Sequence, residues 1–273
     1  MNDRQLLDQH AISPKKSLGQ NFLHDPNALE KIVEIAEVTP DSTVLEIGPG
    51  TGNLTHVLAR EAQRVIAVEV DDRLVPLLSA AFAAQPHVEV IHGDILEIDL
   101  VAHVGDAPYI VVANLPYYIT SAILRRLLEH GPRPQRMVIT VQREVAERLV
   151  AQPGDMSLLS VSVQFFGQPQ IAMRLKPAAF WPRPDIDSAV VRIDVYPAPP
   201  VDVPDTTLFF RVVRAGFGQK RKQLRNSLSA GLSVDKAQAD ALLQAGGVDP
   251  RRRAETLSLA EWAAVTRAVA AAG

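Results

Sequence analysis

The 273-residue chain contains no cysteine, which excludes disulfide staples, thiolate metal ligands and every reaction that passes through a sulfur nucleophile. Long apolar runs are missing as well. No stretch approaches the roughly 18 uninterrupted apolar residues of a membrane helix. The opening MNDRQLLDQHAISPKK lacks the positive start, apolar middle and small-residue cleavage site of a secretory signal. A cytoplasmic chain without a membrane partner is therefore expected, and no metal-ligand spacing is found. Internal repeats are absent, and the only biased tract is the proline-rich YPAPPVDVPD, Tyr196 to Asp205. Strong net charge is absent too, the formal value being -3, but the mean conceals a division. Residues 1–197 carry 17 Lys+Arg against 24 Asp+Glu, and residues 198–273 carry 11 against 7, so an acidic body precedes a basic tail.

With 47% apolar and 22% charged residues the composition is globular, and the length suits one large domain and one small one. The boundary is expected at the proline tract, giving domains 1–197 and 198–273. Up to about residue 195, short β-branched runs alternate with stretches of helical period, the pattern of βαβ units around a mostly parallel sheet. The strand candidates are Thr43–Ile47, Arg64–Val70, Val88–Ile91, Tyr109–Ala113 and Met137–Val141. Gln170–Leu175 and Ser188–Tyr196 leave no room for a crossover helix and are expected to pair antiparallel at the end of the sheet. After Asp205 only helical patterns remain: Leu208–Ala215, Lys220–Leu228, Asp235–Gln244 and Leu259–Ala272. The fold class is thus a doubly wound α/β domain followed by a small all-helical one.

The segment VLEIGPGTGNL sets Gly48, Gly50 and Gly52 between the first strand and a helix starting near Asn53. Glycines there let backbone approach a ligand at the carboxyl ends of the strands. Glu69 closes the next strand, where a carboxylate can accept both hydroxyls of a ribose. The spacing is G-x-G-x-G with Glu46 two residues ahead, not the G-x-G-x-x-G that seats a pyrophosphate on a helix N-terminus. It resembles the S-adenosylmethionine turn of class I methyltransferases; a tight turn that binds nothing is the bland alternative. Asp94 in HGDIL follows the third strand and can accept from an adenine amine, although the same residue type also caps helices and makes turns.

NLPYYITS begins at Asn114, where the fourth strand ends on the same crevice. The side-chain oxygen of Asn114 and the carbonyl of Leu115 offer two acceptors for an exocyclic amine, and Pro116 stiffens the corner. Tyr117 supplies a ring on which an extruded base can stack. An amine can attack an activated methyl and lose its proton afterwards, so alignment supplies most of the acceleration. Carbon-5 methylation of a pyrimidine normally needs a covalent cysteine, and its absence favours nitrogen as the acceptor. Packed as core, Tyr117 and Tyr118 would instead mark an ordinary proline turn.

GQNFLHD, VLEIGPGTGNLT, VIAVEVD, HGDIL, NLPYYITS, QREVAERL and FWPRPDIDSAVVRI occur in the order found in the ribosomal RNA adenine dimethyltransferases, and FGQKRKQLRNSL with DPRRRAETLSL resembles the branch acting on the small subunit. The resemblance runs from about residue 14 to 268. It implies a class I, Rossmann-like fold with S-adenosylmethionine as cofactor. Asn21 and Leu23 would close over that cofactor, with Gly48 and Gly50 against it, Glu69 on its ribose, Asp94 on its adenine and Asn114 bridging to the target. It also implies a stacking role for Phe180 in FWPRP, where isoleucine at 186 replaces the family's valine; a buried aromatic hinge is the alternative. The product would be two dimethylated adjacent adenines in a hairpin loop near the 3′ end of 16S rRNA, made by a monomer on a small-subunit precursor. Without the resemblance QNFLHD reads only as a loop before a helix capped near Asp25, with Pro26 in its first turn.

A docking surface for phosphates is expected in the basic tail, at Lys220, Arg221, Lys222 and Arg225 on a predicted helix and at Arg251, Arg252 and Arg253, with Lys15 and Lys16 as additions. Such runs also occur as plain solvated faces. Three rival functions stay open. One is the antibiotic-resistance methylation of 23S rRNA, whose enzymes usually carry more positive charge than a pI of 6.2 allows. The second is non-catalytic ribosome assembly, disfavoured by the intact Glu69, Asp94 and Asn114. The third is glutamine methylation through an Asn-Pro-Pro-Tyr corner, disfavoured by Leu115.

Overall fold

The computed structural model describes residues 3–116 and 118–272. The chain divides into two compact units, one of residues up to Ala146 with Gln168–Val195, the other of Glu147–Gly167 with Tyr196 onward.

The first unit opens with α1 (Asp3–Gln9), a 3₁₀ turn at Lys16–Leu18 and the short strand β1 (Phe22–Leu23). The helix α2 (Pro26–Ala36) starts where expected: the Asp25 carboxylate accepts from the Ala28 N–H at 3.0 Å, and Pro26 occupies the first turn, where no N–H is needed. Then β2 (Thr43–Ile47), α3 (Asn53–Glu61), β3 (Arg64–Glu69), α4 (Val75–Ala81), β4 (Val88–His92), α5 (Leu100–Val104), β5 (Tyr109–Asn114), α6 (Thr120–Glu129) and β6 (Arg136–Gln142) alternate, and α7 (Arg143–Leu149) follows. After β7 (Gly167–Leu175), β8 (Phe180–Trp181) and β9 (Ser188–Val195) the sheet is complete.

Seven strands lie in the order β4-β3-β2-β5-β6-β9-β7, and β1 pairs with β8 apart from them. The pairs β2/β3, β2/β5, β3/β4 and β5/β6 are parallel and β6/β9 is antiparallel. The class expected from the sequence is therefore the one found. Central strands are covered on both faces, which is why they are continuous Val/Ile/Leu runs rather than alternating ones. Val44, Val65, Val112, Val138 and Val190 meet Ile32 and Leu58 from α2 and α3 in one apolar cluster. The chain order reverses between β2 and β5. Ile47 lies beside Ala113 in the register, so Gly48 and Asn114 emerge side by side at the carboxyl edge.

The second unit consists of α8 (Leu158–Phe166), α9 (Thr206–Phe217), α10 (Leu224–Leu232), α11 (Lys236–Ala245) and α12 (Leu259–Ala272). The insertion Glu147–Gly167, expected within the first domain, belongs here because α8 is apolar nearly all round and needs a helical partner. Phe165 stacks on Phe209 with ring centroids 4.5 Å apart, and Phe166 meets Phe210 at 5.7 Å. Side chains cap the helices: Ser157 with Ser160 at α8, Asp205 at α9, Asp235 with Gln238 at α11. Gly216 leaves room for the Trp262 ring, into which a Cβ would project.

Lys220, Arg221 and Lys222 do not lie on a helix as expected. They form the turn between α9 and α10, which begins only at Leu224. Gly218 closes α9, and three consecutive long cations with no apolar spacing offer no face to bury.

Candidate active site

At the carboxyl edge of the sheet, Gly48, Gly50 and Gly52 have φ of 69°, 61° and 85°. The turn thus needs a left-handed backbone at three alternate positions, which side chains rarely adopt. Contact adds a second requirement at Gly50, where a Cβ would stand 2.7 Å from the Phe22 ring. The Gly50 N–H donates to Glu69 Oε2 at 3.0 Å and the Asp71 N–H to Glu69 Oε1 at 2.9 Å. Those two bonds fix the carboxylate at the end of β3. Each of its oxygens keeps a further lone pair for a hydroxyl. Glu69 is 4% exposed, and burial raises its pKa against the pull of the two N–H groups.

Glu46 is buried as well, 1% exposed, and burial pushes its pKa up to about 8. Thr55 faces the carboxyl and favours its charged form, yet Thr55 Oγ1 and Glu46 Oε2 close no hydrogen bond of ordinary geometry. Glu46 lines a recess of about 320 Å³ with Leu23, Gly48, Asn53 and Asn114. Beside it a cleft of about 530 Å³ is lined by Leu18–Phe22, Gly48, Gly50, Glu69, Val70 and Asn114–Pro116. Val70 is apolar and 47% exposed there.

Such a lining repels a pyrophosphate and suits a cationic ligand carrying a ribose and a flat apolar ring. S-adenosylmethionine has those parts, and the fit extends to the orphaned Glu46 oxygen, which lacks a donor that an ammonium group provides.

Asn114 is tied down from the N-terminal segment. Its Nδ2 donates to the Asn21 carbonyl at 2.8 Å, and Asn21 Nδ2 donates to the Gly19 carbonyl at 3.1 Å. The amide is thereby oriented with Oδ1 as its remaining acceptor. Leu115 buries its side chain at 2% exposure and donates its N–H to Thr140 at 3.1 Å, continuing the ladder one residue past β5. Thr120 Oγ1 donates to the Pro116 carbonyl at 3.1 Å. Among the described residues no donor reaches Asn114 Oδ1 or the Leu115 carbonyl, so two acceptors stand on a rigid corner.

Asn21, Gly48, Gly50, Glu69, Asn114, Leu115 and Pro116 are therefore brought together, while Leu23 is displaced to the neighbouring recess and its carbonyl accepts from Asn53 Nδ2 at 3.0 Å. Asp94 stands one residue beyond Gly93, whose N–H donates to the Glu69 carbonyl at 2.9 Å. One Asp94 oxygen makes a turn with the Leu96 N–H at 2.9 Å, leaving the other open. Tyr117 lies outside the described residues. Tyr118 is not core: it is 60% exposed, and a Cβ on Gly19 would be 3.5 Å from its ring.

Phe180 does not have the free face expected for stacking. It is 2% exposed, paired with Leu23 in the β1/β8 ribbon and packed in the main apolar cluster, so in this conformation it is core. Glu46, Val70, Phe22 and Gln20 were not singled out as site residues. The signals in the sequence are the place of Glu46 two residues ahead of the glycine turn, a valine at a strand end, and the GQNFLHD segment that holds Gln20 and Phe22.

In the helical unit the expected cations separate into two groups. Arg225 pairs with Asp240, and Arg252 with Glu261 while donating to the Thr256 carbonyl at 2.6 Å, so both hold the unit together. Arg251 pairs with Asp249 at 2.9 Å and Arg253 with Glu255 at 3.9 Å. Lys15 reaches Asp71 at 3.4 Å in the first unit. Among the described residues Lys220, Arg221 and Lys222 are exposed without an acidic partner, and so are Arg148, Arg211 and Arg214, which the sequence did not single out. Arg148, Arg214 and Lys220 line one depression of about 1020 Å³, and Arg211 and Arg214 an adjoining one of about 690 Å³.

The sequence matches the family described as "Ribosomal RNA adenine dimethylase" over residues 12–270. It is 45% identical over 260 residues to the ribosomal RNA small subunit methyltransferase A of Dehalococcoides mccartyi, covering 95% of this chain and 89% of that protein. Identity to the protein of the same name from Geobacillus kaustophilus is 43% over 277 residues, covering 98% and 94%. Among solved structures, the 23S rRNA methyltransferase ErmE superposes with a TM-score of 0.72 at 28% identity, covering 92% of this chain and 100% of that one. A dimethyladenosine transferase from Plasmodium falciparum superposes with a TM-score of 0.74 at 24% identity, covering 89% and 95%, which speaks for the fold.

Proposed function

The chain belongs to the ribosomal RNA adenine dimethylase family, and we propose that it dimethylates two adjacent adenines of the 3′-terminal hairpin loop of 16S rRNA, acting as a monomer on a small-subunit precursor. Its activity is S-adenosylmethionine-dependent methylation of ribosomal RNA adenine. The small subunit as substrate is supported by the 43% and 45% identities to small-subunit enzymes, against 28% to the 23S enzyme. The observation that carries the mechanism is the pair of acceptors at Asn114 and Leu115 beside the glycine turn.

Bound in the cleft, S-adenosylmethionine supplies an electrophilic methyl group on a positively charged sulfur. In this reading Glu69 accepts the ribose hydroxyls, Val70 covers one face of the adenine and the open oxygen of Asp94 accepts its amine. Glu46 takes the ammonium of the methionine end. Gly48 and Gly50 give the backbone its approach, and Asn21 and Leu23 close the near side. Asn114 Oδ1 and the Leu115 carbonyl accept the two protons of the target amine, turning its lone pair toward the methyl carbon. A methyl on such a sulfur would be open to attack by that lone pair, the sulfur departing as a neutral thioether and the extra amine proton passing to water. No base is needed before the attack. Tyr117 and the exposed Tyr118 provide rings against which an unstacked base can rest.

Docking falls to Arg148, Arg211, Arg214 and Lys220–Lys222, since unpaired exposed cations retain their full attraction for phosphates. Arg225 and Arg252 are reassigned to stability. The test is incubation with labelled S-adenosylmethionine and undermethylated small or large subunits, followed by mapping of the modified base. Label on adjacent adenines of the small-subunit rRNA is expected; label on 23S rRNA alone refutes the assignment.

A further inference from the structure

Asp71 is 1% exposed, and beyond its N–H on Glu69 its side chain takes no part in the chemistry above. Its two oxygens gather five donors. Oδ2 accepts from Gln20 Nε2 at 2.8 Å and Arg73 Nη2 at 2.6 Å; Oδ1 accepts from Arg73 Nε at 2.8 Å, the Arg73 N–H at 3.3 Å and Lys15 Nζ at 3.4 Å. Arg73 in turn donates through Nη1 to the Ser13 carbonyl at 3.1 Å, and Gln20 Oε1 accepts from the Lys15 N–H at 2.7 Å. Three side chains thus fasten residues 13–20 to the end of β3, two positions after Glu69. The tethered stretch continues into the cleft wall, Leu18 to Phe22, and into the Asn21 carbonyl that orients Asn114.

Ahead of Phe22, which is buried against Leu7, Leu74 and Trp181, the wall is a 3₁₀ turn and loop with little apolar burial to hold it, Leu18 to Asn21 being only half-buried. Closure of that stretch must come from polar tethers, and those that run from residues 13–20 to the end of β3 all converge on this carboxylate or on its Arg73 partner, while Asn114 holds the Asn21 carbonyl separately. The guanidinium of Arg73 holds the carboxyl well below the usual carboxylate range, so the anchor stays charged.

We propose that Asp71 is a positioning residue that latches residues 13–22 against the cofactor cleft, setting how long the cofactor is held. The inference rests on the cleft being the S-adenosylmethionine site. Asp71→Asn keeps the shape and the backbone N–H to Glu69 but turns one acceptor into a donor facing Gln20 or Arg73. Relative to wild type, it is expected to raise the cofactor KM and the dissociation rate of S-adenosylhomocysteine about 10- to 100-fold, with kcat at saturating cofactor within about a factor of three. Hydrogen exchange should quicken at residues 13–22 while β2 and β3 stay protected. Gln20→Leu, which leaves the Asp71–Arg73 pair intact, should move the same quantities in the same direction by less, and it carries the test alone if Asp71→Asn does not fold. Unchanged dissociation in these variants, or faster exchange spread over the whole sheet, overturns the latch. Failure of the wild-type protein to bind S-adenosylhomocysteine overturns the reading of the cleft instead.

Discussion

The acids of the cleft and the cations of the helical unit are handled in opposite ways. Glu46, Glu69 and Asp71 are at most 4% exposed, and Glu69 and Asp71 are held by hydrogen bonds from backbone or neighbouring side chains. Lys220, Arg221, Lys222, Arg211 and Arg214 are exposed and without an acidic partner among the described residues. Burial costs a charge its hydration, which is repaid only by groups placed for it; such a site recognises one small ligand in one pose. Exposed unpaired cations cost little and recognise any phosphate chain, at the expense of salt sensitivity.

Breaking the rigid side of this contrast should have the largest effect. Asn114→Ala is expected to cut methyl transfer by a factor on the order of 10³ or more while leaving subunit binding near wild type, as single-turnover transfer of labelled methyl and a binding assay would report. On the other side, Lys220→Glu with Arg221→Glu should weaken subunit binding by about 10- to 100-fold at physiological salt and flatten the dependence of log K on log salt by roughly 0.7–0.9 per lost phosphate contact. Cofactor affinity measured by calorimetry should not change in that variant.

Glu46 sharpens the comparison through pH. Its carboxyl is neutral in the folded protein until about pH 8, whereas its ordinary value is 4.5. A cationic ligand stabilises the charged form, so affinity for S-adenosylmethionine should climb as pH rises toward 8, with proton release on binding. Glu46→Gln should remove that dependence and weaken binding by about 10-fold at pH 8. For folding the sign is reversed. Between 4.5 and 8 the unfolded chain has lost the proton that the folded chain retains, so this group's contribution to stability falls with rising pH. The glutamine variant should accordingly melt higher than wild type at pH 8 in the absence of cofactor. The smallest effect is reserved for the cations that are structural: Arg252→Ala should cost about 1–2 kcal/mol in chemical denaturation and leave the salt slope of subunit binding unchanged.

The sheet was legible because its strands are buried on both faces, and the runs Thr43–Ile47 and Tyr109–Ala113 could only be central. The glycine turn, Glu69 and the Asn114 corner followed, since topology alone brings β2 and β5 together. Less was legible where a residue's role depends on what packs against it from far away in sequence. Phe180 sits in the core because β8 pairs with β1, a contact across more than 150 residues that no local pattern announces. Arg225 follows closely on free cations and differs in having Asp240 opposite, and Arg252, set between Arg251 and Arg253, is held by Glu261. Arg148 joined the helical unit through an insertion whose apolar helix reads, in isolation, like any other of the α/β domain. The latch at Asp71 was invisible for the same reason: Gln20 and Lys15 reach it from some fifty positions away.

The account depends on where the methyl donor lies. A crystal structure of the protein with S-adenosylhomocysteine tests this most directly, with ribose hydroxyls on Glu69 and the sulfur next to Asn114 as the predicted result. A ligand seated away from the glycine turn, or one reaching that turn with its sulfur shielded from Asn114 Oδ1, would contradict it.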